Sequence, residues 1–96
     1  MKIPDQTQCA LVASILKTLA HPQRLMILAQ LCDGPKNVSE LENLSGATQS
    51  AVSQFLARMK SEGLVSSKRY DRSIFYEIQD PKIQKLISSI QKIYCP

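Results

Sequence analysis

Thr48-Gln-Ser-Ala-Val-Ser-Gln-Phe-Leu-Ala-Arg-Met-Lys-Ser-Glu-Gly-Leu-Val65 decides the fold. Val52, Leu56 and Met59 recur at i, i+4 and i+7, which commits one face of a helix to a core. Gly63 then stops the helix, and an extended pattern follows. The opposite face carries Thr48, Gln49 and Ser50 in the first turn, then Ser53, Gln54 and Arg58, all small or hydrogen-bonding side chains.

Upstream, Ser39-Glu-Leu-Glu42 has the Ser-x-x-Glu spacing of a capping box, so a short helix is expected to start near Ser39 and to stop at Gly46. Short helix, glycine-containing turn and longer helix together make a helix-turn-helix pattern. Downstream, the runs Leu64 to Tyr70 and Ser73 to Ile78 flank Asp71-Arg72 as a hairpin would, with Ile74, Tyr76 and Ile78 alternating against Phe75 and Glu77. This is the pattern of a wing, and Lys68, Arg69 and Arg72 gather around its tip.

A helix lying in a major groove offers its N-terminal side chains to base edges, while its free amides and positive dipole end favour phosphate. Basic side chains on an adjacent hairpin neutralise phosphates, adding affinity without sequence information. Thr48, Gln49, Ser50, Ser53, Gln54 and Arg58 are therefore the candidate groove residues, with Lys68, Arg69 and Arg72 beside them. A winged-helix module that binds protein instead of DNA is the alternative, and steep salt dependence on duplex DNA separates the two.

Three further helices complete the pattern. Val12, Leu16 and Leu19 line a first helix ending near Ala20, and Pro22 sits where a second can begin. The second carries Leu25, Leu28 and Leu31 and ends at Gly34-Pro35. The last follows Asp80-Pro81 with Ile83, Leu86, Ile87, Ile90 and Ile93 or Tyr94. The expected fold is mainly α with a small β-hairpin wing, in the order four helices, two strands, one helix, with residues 1–96 forming one winged helix-turn-helix domain.

Ninety-six residues bury only a modest fraction of their surface, and the first and last helices each present an apolar stripe. Pairing them across a twofold axis would bury both stripes and place two recognition helices about one DNA turn apart, so a homodimer on a pseudo-palindromic operator is expected. The net charge of +4 fits an anionic partner without identifying it. No apolar run approaches the roughly 20 residues that cross a bilayer, and Met1-Lys2-Ile3-Pro4-Asp5 lacks a signal-peptide core, so a cytoplasmic protein with no membrane partner is expected. In that reducing setting Cys9, Cys32 and Cys95 do not make a disulfide framework. His21, the sole histidine, precedes Pro22 as a capping residue would, and no catalytic constellation surrounds it, so no enzyme and no cofactor are expected.

Taken together, Leu19-Ala-His-Pro-Gln-Arg-Leu-Met-Ile-Leu28, Val38-Ser-Glu-Leu41, Gln49-Ser-Ala-Val-Ser-Gln-Phe-Leu56 and Gly63-Leu-Val65 with the wing ending Ile74-Phe-Tyr76 resemble the ArsR/SmtB family of small winged-helix repressors. The likeness runs from about Ala13 to Cys95. It implies a homodimer that represses a promoter until an inducer lowers its DNA affinity. Many metal-sensing members carry a Cys-x-Cys pair where this chain has Asn37 and Ser39; others use Asp and His on the last helix, where this chain has Asp80 and no histidine. Neither metal site is therefore expected.

The remaining branch resembles sulfide- and redox-responsive members, which use one cysteine in the second helix and one near the end of the last. Cys95 matches the latter. The former falls at Ala29, and Cys32 lies about one turn further on, roughly 4.5 Å along the axis. The resemblance thus implies a thiol sensor built on Cys95, with Cys32 or Cys9 as its partner and a reactive-sulfur species or oxidant as inducer. A soft ion such as arsenite held by Cys9, Cys32 and Cys95 is the competing reading.

Overall fold

The computed structural model describes residues 2–96; Met1, which opens the N-terminal stretch discussed above, lies outside them. The elements run α1 (Gln6–Leu19), α2 (Pro22–Leu31), β1 (Lys36–Asn37), α3 (Val38–Ser45), α4 (Gln49–Ser61), β2 (Val65–Tyr70), β3 (Ser73–Ile78) and α5 (Pro81–Tyr94). Helices and hairpin fall in the expected order, making a winged helix-turn-helix. Among the described residues no helix is long and apolar enough to cross a membrane.

One strand was not anticipated. β1 pairs antiparallel with β3, Lys36 opposite Tyr76 and Asn37 opposite Phe75, so the wing is a three-stranded sheet in the order β1-β3-β2. Two residues are too few to show a period-2 pattern, and this strand exists only through its tertiary pairing.

β1 also moves the start of α3. The N-cap is Asn37: its Oδ1 accepts from the Glu40 amide at 2.8 Å, and Glu40 Oε1 accepts from the Asn37 amide at 3.1 Å. The expected box at Ser39 and Glu42 is replaced by one at Asn37 and Glu40. Asparagine caps as well as serine, and the strand delivers Asn37 in the extended backbone that a cap needs (φ −89°, ψ 172°), whereas Ser39 is already inside the helix.

At the other helix ends the local chemistry is as the residues suggest. His21 caps α2, its Nδ1 accepting from the Gln23 amide at 3.2 Å, with Pro22 at the first helical position. Gly46 (φ 73°) and Gly63 (φ 78°) adopt the left-handed backbone that closes α3 and turns α4 into β2, a conformation costly for a side chain with Cβ.

Val52, Leu56 and Met59 are fully buried in a core that also holds Ile27, Leu28, Leu41, Val65, Ile83 and Ile87. Each such burial contributes roughly 1.5–3 kcal/mol, enough to fix which way α4 faces. On α1, Val12 and Leu16 are 49% and 48% exposed, and only Leu19 of that stripe is buried in the domain's own core. On α5, Ile83 and Ile87 are buried, while Ile93 and Tyr94 stand 68% and 78% exposed.

Candidate nucleic-acid interface

Because the buried stripe anchors α4 from one side, its other side faces solvent. Thr48, Gln49, Ser50, Ser53, Gln54 and Arg58 are all exposed. Thr48 is the N-cap: its hydroxyl oxygen accepts from the Ala51 amide at 3.1 Å, which leaves the hydroxyl proton available to an outside acceptor. The amides of Gln49 and Ser50 have no intrahelical acceptor, by the geometry of a helix start. A polar first turn, free amides and the positive dipole end thus coincide on one surface.

Arg58 stands apart from that group. It lies nine residues beyond Gln49, about 13.5 Å along the axis, and its Nε donates to Glu62 Oε1 at 3.1 Å. The structure therefore does not bring Arg58 together with the first turn.

On the wing, Lys68, Arg69 and Arg72 are exposed around a tip where Asp71 takes the left-handed backbone (φ 54°), a region that Asp tolerates better than most residues. Register separates the two strand cations. Arg69 lies opposite Ile74 and shares the sheet face of buried Val65, whereas Lys68 lies opposite Phe75 on the outer face, beside the edge-to-face pair of Tyr70 and Phe75. Only Arg69 of these two is thus on the face that the helices cover. A tether missed in the sequence holds that face in place: Lys60 Nζ, in the last turn of α4, donates to Ser67 Oγ on β2 at 2.7 Å.

The three cysteines are free and lie on different elements. Cys9 is exposed in the first turns of α1. Cys32 is the C-cap of α2, half-buried; burial pushes its thiol pKa up, the neighbouring Asp33 carboxylate pushes it further, and the nearby Ser88 hydroxyl of α5 offsets part of the rise. Cys95 is exposed just past α5, in a shallow cleft with Ser88, Gln91 and Lys92. Ser88, which meets Cys32, precedes Cys95 by seven residues, about 10.5 Å along a helix. Among the described residues no three of His, Cys, Asp and Glu converge on a metal position, so the trigonal site drawn on Cys9, Cys32 and Cys95 is not formed within one chain.

The profile of the bacterial regulatory protein arsR family matches residues 21–67, from the α2 cap into β2. Over 95% of its length the chain is 38% identical to the HTH-type transcriptional regulator YgaV of Escherichia coli (strain K12), covering 93% of that protein. It is also 38% identical, over 88% of its length and 74% of the relative's, to the biofilm growth-associated repressor of Xylella fastidiosa (strain Temecula1 / ATCC 700964). Reduced HlyU from Vibrio cholerae N16961 superposes with a TM-score of 0.89 at 31% identity, over 95% of this chain and 96% of that one.

The thiol environments generate a rate order. A raised pKa lowers the thiolate fraction about tenfold per unit at neutral pH, and the thiolate is the nucleophile. Cys9 and Cys95 are open to reagent, whereas Cys32 is half-buried and disfavoured as a thiolate, so peptide mass spectrometry after brief alkylation at pH 7 should find the two exposed cysteines modified well before Cys32, with the Cys32 rate still climbing as pH rises beyond the ordinary thiol range. Cys32 reacting as fast as Cys95 at pH 7 would contradict this.

Proposed function

The chain belongs to the arsR family of bacterial regulatory proteins, and from that membership we propose that it is a homodimeric repressor of a pseudo-palindromic operator, released by cysteine oxidation or persulfidation. Its relatives are transcriptional regulators, and the chain is a DNA-binding regulator and not an enzyme.

The observation that carries the DNA reading is the outward polar first turn of α4, held by a fully buried stripe and flanked by a basic wing. In this reading Gln49 and Gln54 select bases, with Thr48, Ser50 and Ser53 on bases or phosphates. Lys68, Arg69 and Arg72 track phosphate, and Arg58, tied to Glu62, contributes to the field. The half-exposed Val12 and Leu16 of α1 and the exposed Ile93 and Tyr94 of α5 support a second copy as their cover.

For release, Cys95 is the reacting thiol. Its thiolate attacks the terminal sulfur of a low-molecular-weight persulfide, taking that sulfur as Cys95–S–SH and expelling a thiol. A second cysteine then attacks the inner Cys95 sulfur, forming a disulfide and expelling hydrogen sulfide, so the two electrons lost by the cysteines reside on the sulfide. Cys32 is the favoured partner and Cys9 the reserve. A disulfide needs Cα atoms within about 7 Å, and Ser88, beside Cys32, lies about 10.5 Å along α5 from Cys95, so closing Cys32 on Cys95 would draw the end of α5 toward α2. That displacement would disturb the helix assigned to the dimer interface and misplace both recognition helices.

Two measurements test the halves separately. On a duplex selected from a random library, Gln49→Ala should lose about 1–3 kcal/mol while barely changing random-duplex binding, and Arg69→Ala should weaken both and flatten the salt slope by about one unit. Equal losses for Gln49→Ala on both duplexes refute the base-reading role. With a persulfide donor, the wild type should leave the operator and Cys95→Ser should remain bound. A Cys95→Ser variant that responds like the parent removes the sensing mechanism, and a mapped Cys9–Cys95 link would replace Cys32 as partner.

A further inference from the structure

An acidic residue closes α4 where the helix dipole disfavours it. Glu62 is the C-cap, at the negative end of the dipole, where cations are favoured and a carboxylate is not. Its two oxygens face different elements. Oε1 accepts from Arg58 Nε of α4 at 3.1 Å, and Oε2 accepts from the Thr18 hydroxyl of α1 at 2.9 Å, a bond that spans 44 positions in the chain. Thr18 is buried, 8% exposed, although the rest of α1 before it is largely open to solvent. The chain therefore places a buried hydroxyl against a carboxylate whose position at the helix end is disfavoured by the dipole and offset only by its pair with Arg58.

Thr18 also has an alternative acceptor. Its Oγ1 lies 3.3 Å from the Ser14 carbonyl oxygen, one turn back in α1, as well as 2.9 Å from Glu62. A hydroxyl has one proton and donates fully to one acceptor at a time. If α1 shifts, the proton turns to Ser14, and Glu62, whose side chain is one-third exposed, takes water and Arg58. Neither group is left unsatisfied, so the link opens without the desolvation cost that makes most buried polar contacts hard to break.

We propose that Thr18 and Glu62 form a positioning link by which α1 sets the orientation of the recognition helix. The proposal rests on the reading of α4 as the DNA-contacting helix. α1 packs chiefly on α2, and this hydrogen bond connects it directly to the end of α4. Any event that moves α1, including a change in how its uncovered apolar face is seated on a second copy, changes the proton's acceptor and lets the C-terminal end of α4 tilt slightly about its buried stripe. Because the first turn of α4 lies about 18 Å from Glu62 along the axis, a small tilt at one end displaces the other.

The test uses the full chain, the duplex it selects from a random library and an unselected duplex of equal length. Thr18→Val keeps shape and loses the hydroxyl; Thr18→Ser keeps the hydroxyl; Glu62→Ala removes the acceptor, the helix-end charge and the partner of Arg58. Thr18→Val and Glu62→Ala should each weaken binding to the selected duplex about five- to tenfold, within the range of measured couplings, with sedimentation and the thermal midpoint unchanged or, for Glu62→Ala, raised. Thr18→Ser should bind as the wild type does, and the double variant should lose no more than either single one. Wild-type affinity in Thr18→Val, additive losses, or losses that track a lowered midpoint would overturn the link while leaving the DNA reading intact. A wild-type chain that selects no duplex overturns both.

Discussion

The burial of Val52, Leu56 and Met59 is the contact on which everything else depends. Three side chains on one stripe of α4, none with measurable exposure, fix the rotation of that helix about its own axis. Rotation in turn fixes which residues face outward, and the small hydrogen-bonding set from Thr48 to Gln54 faces outward because the stripe cannot. A cavity-forming change such as Leu56→Ala costs on the order of 2–5 kcal/mol. In a small domain that is a large share of total stability, so the outward polar surface of α4 and the folded state stand or fall together.

The same principle, with opposite sign, governs the ends of the molecule. α1 and α5 bury only part of their apolar stripes: Leu19, Ile83 and Ile87 reach the core, while Val12, Leu16, Ile93 and Tyr94 do not. α1 begins with a complete capping box, Asp5 and Gln8 exchanging hydrogen bonds at 2.8 and 3.0 Å, so it is a well-started helix despite an open face. A capped helix with unused apolar surface is the physical basis for assigning it a second copy as partner. Cys9 sits on α1 and Cys95 at the end of α5, so a change at either thiol acts on an element with open apolar surface.

What the sequence revealed follows the range of the interactions involved. The stripe of α4, the stops at Gly46 and Gly63, the Pro22 start and the Asp71-Arg72 turn are local, and each was readable from a few neighbouring residues. The cap of α3 was misplaced because two Ser/Asn-to-Glu spacings overlap there, and only the pairing of Asn37 with Phe75 decides between them. The contacts that refine the site are tertiary: Lys60 with Ser67, Thr18 with Glu62, and Cys32 with Ser88. None has a periodic signal. Val12 and Leu16 carried the right periodicity for a core face, but periodicity cannot say whether the covering element belongs to the same chain.

Hydroxyl-radical footprinting on the selected operator tests the dimeric reading most directly. Two copies joined through α1 and α5 should protect two segments on one face of the duplex, centred about 10–10.5 base pairs or a multiple of that apart, with two chains bound per duplex. A single protected segment at saturation, with one chain per duplex, would contradict it.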